Sequence, residues 1–362
     1  MTTLYQAIIE NVSKQVRYVL LFALLLTLSV TAEAQSNLSF YGQLDAGLRY
    51  RSNQNIEGDS LTTIGQGTMG SSRWGITGNE NLGDGLASSF KLESGFNPTT
   101  GTLGQGGTLF GRQAWIGLSS EYGSLTIGRQ NNPLYNSEVA VEPFGAYNVD
   151  QPSFIYDNYG GGDNRWSNSV NYAKRVGDFT GVLMLGFGQQ AGNAKADRNF
   201  GASLAYAAGA FTANTAYQQL RDSDGVIDER IWNIGGTVNL RPVKLFLGYL
   251  NHRSGLNDQT NAVIDTGFIY SMTPNVDWVA AYYHDQQRNL SGVRNTVSLM
   301  SAYKFSKFTS VYIQADYSKI DQGYLSNMYD THEFPRTYDA QGNVLAYISN
   351  VTGVTIGLRH AF

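Results

Sequence analysis

Hydrophobic and polar residues alternate along most of this chain. In Leu38–Tyr50, Leu38, Phe40, Gly42, Leu44, Ala46, Leu48 and Tyr50 share one face, while Ser39, Tyr41, Gln43, Asp45, Gly47 and Arg49 share the other. A period of two is that of a β-strand. The same reading predicts strands near 38–50, 72–80, 86–96, 109–119, 124–130, 166–175, 180–188, 199–207, 211–219, 230–239, 243–252, 263–271, 276–285, 293–304, 308–318 and 352–362. A single strand of this kind does not separate a soluble sandwich from a membrane barrel.

The connections between these segments do separate them. Arg51–Ser71, Asn97–Thr108, Asn131–Arg165, Gln189–Arg198, Leu220–Glu229, Arg253–Asn261, Gln286–Gly292 and Lys319–Val351 are long and polar. Those between them, such as Asn81–Gly85, Ser120–Gly123 and Met272–Asn275, are short. Long and short alternate throughout. That rhythm belongs to an antiparallel meander with every tight turn at one end and every long loop at the other, as in outer-membrane barrels with an even strand number. Most segments run about 9–11 residues, the length a tilted strand needs to cross a bilayer. The last strand ends on Phe362 itself, which suits a sheet whose final strand pairs with its first. The expected fold is therefore all-β, a 16-stranded antiparallel transmembrane β-barrel.

Composition changes the picture in three places. The chain has 362 residues, with 41 Gly, 23 Tyr and 17 Phe but only 7 Pro, which suits strands and tight turns. Its net charge of −4 gives no basis for nucleic-acid binding, and the lack of cysteine excludes disulfides, CxxC redox chemistry and thiolate metal sites. At the N-terminus, Lys14 and Arg17 precede Tyr18–Val30, an uncharged apolar run, and then Ala32-Glu33-Ala34. A basic flank, a short apolar core and an A-x-A site read as a secretory signal peptide over residues 1–34, leaving a barrel over 35–362. The run would rise only about 20 Å as a helix, too little to span a bilayer.

Enzyme and metal motifs are poor. Gly65-Gln66-Gly67-Thr68-Met69-Gly70 fits a dinucleotide loop only by spelling, because no helix follows it. The four histidines are scattered without zinc spacing, and no cofactor is expected.

The connection Asn131–Arg165 stands apart. It is far too long for a turn, and it carries Glu138, Glu142, Asp150, Asp157 and Asp163 with no basic residue before Arg165. Loops of such length inside a compact domain usually have a function. The Glu142-Pro143-Phe144-Gly145 stretch is expected at its tip. On the strands, alternation turns Arg73, Lys91 and Glu93 toward the lumen. It places Arg112 with the lipid-facing residues, so that either a bulge shifts the phase or Arg112 sits above the membrane, and Arg129 has the same phase.

The blocks FYGQLDAGLRY, SSRWGITGNENLGDGLASSFKLESGFN, LFGRQAWIGLSSEYGSLTIGRQ, NRWSNSVNY and GVTIGLRHAF resemble the general diffusion porins of Gram-negative bacteria, of the beta-proteobacterial type. The resemblance covers the whole chain after residue 34. It implies a homotrimer in the outer membrane, in contact with lipid and lipopolysaccharide, that passes ions and small hydrophilic solutes. It also implies that the third external loop, about 131–165, folds inward as a constriction facing wall arginines. Carried over through the motifs, the basic side is Arg73, Arg112 and Arg165, joined by Lys91, and the acidic side is Glu93 with the loop acids Glu138, Glu142 and Asp150. Asp157 and Asp163 are expected to be solvated or to anchor the loop. Whether cations or anions are preferred stays open. A substrate-specific channel for one class of small anionic or polar nutrient is the alternative.

Overall fold

The computed structural model describes residues 36–145, 164–255, 259–289, 291–321, 324, 335–338 and 344–362. The signal-peptide reading over 1–34 lies outside them, as do Asp150, Asp157 and Asp163.

In chain order the strands are β1 (Ser36–Arg51), β2 (Leu61–Gln66), β3 (Arg73–Gly83), β4 (Leu86–Gly95), β5 (Gln113–Ser120) and β6 (Gly123–Asn131). A helix follows, α1 (Pro133–Val141). Then come β7 (Arg165–Val176), β8 (Phe179–Gly186), β9 (Asn199–Ala208), β10 (Phe211–Arg221), β11 (Ile227–Asn239), β12 (Val243–Ser254) and β13 (Thr260–Thr273). The remainder are β14 (Val276–Gln287), β15 (Val293–Lys304), β16 (Thr309–Ile320), β17 (Arg336–Tyr338), β18 (Val344–Tyr347) and β19 (Asn350–Ala361). All but β17 and β18 join one antiparallel sheet, in which successive strands pair except that β2 and β3 both pair with β1 and β16 pairs with β19. The sheet closes where β1 pairs with β19, Gln43 opposite Ala361 through Arg51 opposite Gly353. Closure leaves no free edge.

β2 and β3 share one position in the wall. β2 pairs with the second half of β1, Ala46 opposite Gln66 to Arg51 opposite Leu61, and β3 pairs with the first half, Ser36 opposite Glu80 to Gln43 opposite Arg73. The seventeen segments of the sheet therefore make sixteen wall positions, the number expected. Three details differ from the sequence reading. Leu61–Gln66, read as part of a loop, is a strand. The strand expected from 109 starts at Gln113. The connection after β16 holds the small hairpin of β17 and β18.

The break between β2 and β3 has a physical basis. Residues 67–72 leave the ladder and turn into the barrel, where Asp45 on β1 takes over their hydrogen bonding. Its Oδ2 accepts from the backbone N–H groups of Met69 (2.9 Å) and Gly70 (2.6 Å). Tyr312 Oη donates to its Oδ1 at 2.8 Å and accepts from Thr68 N–H at 2.7 Å. Gly67 is required here, since a Cβ would overlap both Asp45 and Tyr312.

The two faces of the wall differ as the alternation predicts. Leu38, Phe40, Ile116, Leu183, Ile234, Leu247, Ile313 and Ile356 are exposed on the outside, and their sequence neighbours turn inward. On β11–β13 the inward face is also partly apolar: Ile231, Leu250 and Val263 are buried. That departure marks where the loop after β6 docks.

Candidate functional site

The loop after β6 begins as a helix, which the sequence reading left structureless. Asn132 caps it, accepting from Tyr135 N–H at 2.7 Å, and Pro133 occupies the first turn, where its missing N–H costs nothing. Leu134 packs with Ala216, Ile231, Leu250 and Val263, so the apolar patch on the inner wall receives it. Val141 sits against Gly235 and Pro143 against Gly267, two close approaches that a side chain would block. Phe144 then packs with Val279, Ala281, Tyr283, Met300, Ala302 and Tyr312. Residues 132–145 thus pack against wall residues from β10–β13 to β14–β16.

The two described carboxylates of this segment are turned toward the wall. Glu138 Oε1 accepts from Asn233 Nδ2, while Ser137 Oγ donates to Asn233 Oδ1 at 3.0 Å. Glu142 Oε1 accepts from Tyr283 Oη. Glu138 is 3% exposed and Glu142 2%. Asp265 on β13 is close enough to interact electrostatically with both. Three carboxylates gathered behind a helix repel one another, and the donors from Asn233 and Tyr283 offset part of that cost.

A basic cluster forms on β3, β4 and the bend before β5, about half the ring away from α1. Its centre is Glu93. Arg112 Nε donates to Glu93 Oε1 at 2.7 Å, and Tyr41 Oη donates to Oε2 at 2.8 Å. Lys91 Nζ lies 3.6 Å from Oε2 and Arg73 Nε 3.7 Å. Lys91 also sits over the Tyr41 ring, 5.4 Å from its centroid. Arg112 and Glu93 are buried, whereas the side chains of Arg73 and Lys91 keep 22% and 26% of their surface exposed.

Arg112 reaches this cluster because it lies before β5 starts, in a bend whose backbone N–H donates to Glu93 O at 3.2 Å. The strand phase that would have sent it to the lipid side begins one residue later. Arg129 follows that phase: its guanidinium donates to Gly111 O (2.7 Å) and Ser167 Oγ (2.9 Å). Arg165 is the first residue of β7, and its carbonyl oxygen accepts from Arg129 Nη1 at 3.3 Å. It is buried at the root of the loop, with its guanidinium 5.6 Å from the centroid of Tyr135 on α1. Tyr41, Asn233, Asp265 and Tyr283 were not singled out from the sequence. The one signal for the last three was the bed of apolar and small residues on inward positions of β11–β14. Among the described residues no group of three or more His, Asp or Glu side chains is arranged to hold a metal.

The model of the Gram-negative porin family matches residues 21–323. An outer membrane porin protein of Bordetella pertussis is 32% identical over 271 residues, covering 64% of this chain and 68% of its own. Outer membrane porin protein 32 of Delftia acidovorans is 26% identical over 360 residues, covering 93% of this chain and 97% of its own. Among solved structures, an anion-selective porin from Comamonas acidovorans superposes with a TM-score of 0.76 at 22% identity, covering 91% of this chain and all of that one. OmpT of Vibrio cholerae in a trimer form superposes with a TM-score of 0.67 at 17% identity, covering 90% and 99%.

Proposed function

Because the chain belongs to the Gram-negative porins, we propose that its channel prefers small anions, selected between the basic cluster on β3–β5 and an inward-folded loop, about 131–165. As a porin of the outer membrane it is a water-filled channel for the passive diffusion of ions and small hydrophilic solutes. Family and fold point to a channel rather than an enzyme.

The observation that carries the preference is unequal exposure. Around Glu93 three cations meet one carboxylate, and two of them, Arg73 and Lys91, keep contact with water. Across the lumen Glu138 and Glu142 are turned into the wall and covered. A permeating ion is selected by the charge it meets in water, so the accessible guanidinium and ammonium groups set the sign. Arg165 acts as an anchor of the constriction loop through Tyr135. The barrel works as a homotrimer, as one of its structural neighbours is described, and residues 1–34 serve as its export signal.

Reversal potentials across a salt gradient test the reading. The wild type is expected to favour chloride over potassium, and the double variant R73Q/K91Q to lose that preference or invert it. A cation-preferring wild type, or a double variant with unchanged selectivity, would overturn it. Block of the current by one nutrient at low concentration would instead favour a substrate-specific channel.

A further inference from the structure

The ladder breaks between β2 and β3 over a short distance. β2 ends with Gln66 opposite Ala46, and β3 begins with Arg73 opposite Gln43. A continuous strand would place two residues there, facing Asp45 and Leu44, whereas the chain places six, residues 67–72. Irregular backbone at membrane depth is tolerated only where protein or a water-filled cavity takes up its hydrogen bonds. Here each residue of the excursion is held. Gly67 N–H donates to Asp45 O at 2.9 Å. Thr68 N–H donates to Tyr312 Oη, and Met69 and Gly70 N–H to Asp45 Oδ2. Gln43 Nε2 donates to Ser71 O at 2.9 Å, and Ser72 Oγ accepts from Asp45 N–H at 2.9 Å. Gln43 is fixed in turn, its Oε1 accepting from Arg359 Nη2 at 3.0 Å. Thr68 and Ser72 are buried. The excursion is therefore a fixed element of the lumen.

It touches both sides of the constriction. Ser71 O accepts from Arg73 Nη1 at 3.3 Å, beside the basic cluster around Glu93. Met69 is half-buried and packs against the cluster that holds Phe144, from the loop after β6, together with Tyr283, Met300 and Tyr312. Ser310 Oγ donates to the Met69 sulfur at 3.6 Å. Tyr312, whose hydroxyl organises the excursion, has its ring in the same cluster. A segment that only closed the wall would need no contact with that loop.

We propose that residues 67–72 are the stop against which the tip of the constriction loop rests, with Met69 as the positioning residue that sets the width of the opening for uncharged solutes. A wall strand is located by its ladder, but a loop tip is located by what it packs against. Val279, Ala281 and Met300 are wall residues of β14 and β15, whereas Met69 comes to the same cluster on a second inward segment. An unbranched thioether fills irregular gaps well, which suits a joint between two irregular segments. Shortening it leaves the tip room to shift. The proposal rests on the inward-folded loop of the proposed function and is independent of the ion preference.

Swelling of liposomes carrying the folded channel, in neutral sugars of increasing size, tests it alongside reversal potentials. M69A is expected to raise the rate for a trisaccharide relative to a monosaccharide about twofold or more, since selection by size follows pore diameter. Its reversal potential should stay that of the wild type, because no charge has moved. M69L, of similar volume, should restore the wild-type ratio. Should M69A not fold, M69V takes its place with a change in the same direction. The chain has no cysteine, so a short bifunctional thiol reagent acting on M69C/F144C reports the contact separately, and a cross-link is expected. A cross-link together with wild-type sieving by M69A, or with M69L sieving like M69A, would overturn the stop alone. Absence of the cross-link would overturn the inward-folded loop and the stop with it.

Discussion

Replacing Glu93 with glutamine removes the carboxylate that Arg73, Lys91 and Arg112 share, with little change of shape. The expected effects oppose each other, because anion preference rises while stability falls. The buried half of the cluster is the Arg112 pair at 2.7 Å. Leaving one partner of a buried ion pair alone costs about 3–5 kcal/mol, and glutamine still offers Arg112 an oxygen, so the lower end applies. Arg73 and Lys91 are 3.7 Å and 3.6 Å from the other oxygen but partly hydrated. Water and salt screen such contacts to about 1 kcal/mol or less each. The variant should therefore lose about 3–5 kcal/mol, read as a lower temperature or denaturant concentration for unfolding in detergent. For permeation, one added positive charge about 7 Å from a passing ion in water changes its energy by about 0.6 kcal/mol, close to RT. Acting with opposite sign on chloride and potassium, it should raise their permeability ratio about threefold to sevenfold. The shift should be clear near 0.1 M salt, where the screening length is about 10 Å, and vanish near 1 M, where it is about 3 Å. A folded E93Q channel whose reversal potential in dilute salt equals that of the wild type would refute the reasoning.

Other expectations concern the loop and the wall. Tyr283→Phe removes the hydroxyl that donates to Glu142; it should loosen the loop by about 1–3 kcal/mol and show as added current noise in single-channel records. Asp45→Ala strips the acceptor from Met69 and Gly70 N–H and from Tyr312. A loss of about 2–4 kcal/mol should follow in unfolding experiments, with Asp45→Asn falling between alanine and wild type. Gly67→Val should fail to fold or fold at much lower yield, because the new Cβ overlaps Asp45 and Tyr312. Deleting Phe362 removes two hydrogen bonds to Gly42, both 3.0 Å, and a ring stacked on Phe40 at 5.7 Å. It should slow closure of the barrel, measured as the rate of appearance of the folded form on unheated gels.

The barrel was legible in the chain because each strand declares its two faces locally. Leu245, Leu247 and Tyr249 alternate with Phe246, Gly248 and Leu250, and the turns recur in a long–short order that only a meander satisfies. Lipid on one side and lumen on the other act on every residue where it stands, so a period of two and a count of turns suffice. Arg73 and Lys91 lie within 3.7 Å of Glu93, three side chains that the same local rule turns to one face. For Arg112 the rule leaves two readings open, since its direction depends on where β5 begins.

The orientation of the loop acids is a different kind of question. Glu142 meets Tyr283 across the barrel, 141 positions later in the chain, and Glu138 meets Asn233, 95 positions later. Nothing near Glu138 in the sequence says whether water or wall will cover it. The break between β2 and β3 is similar, held by Asp45 and by Tyr312 on β16. The sequence by itself determined the closed sheet, its membrane and the extent of the loop. Only the tertiary structure decided which charges water can reach, because burial is set by residues that closure of the ring brings together.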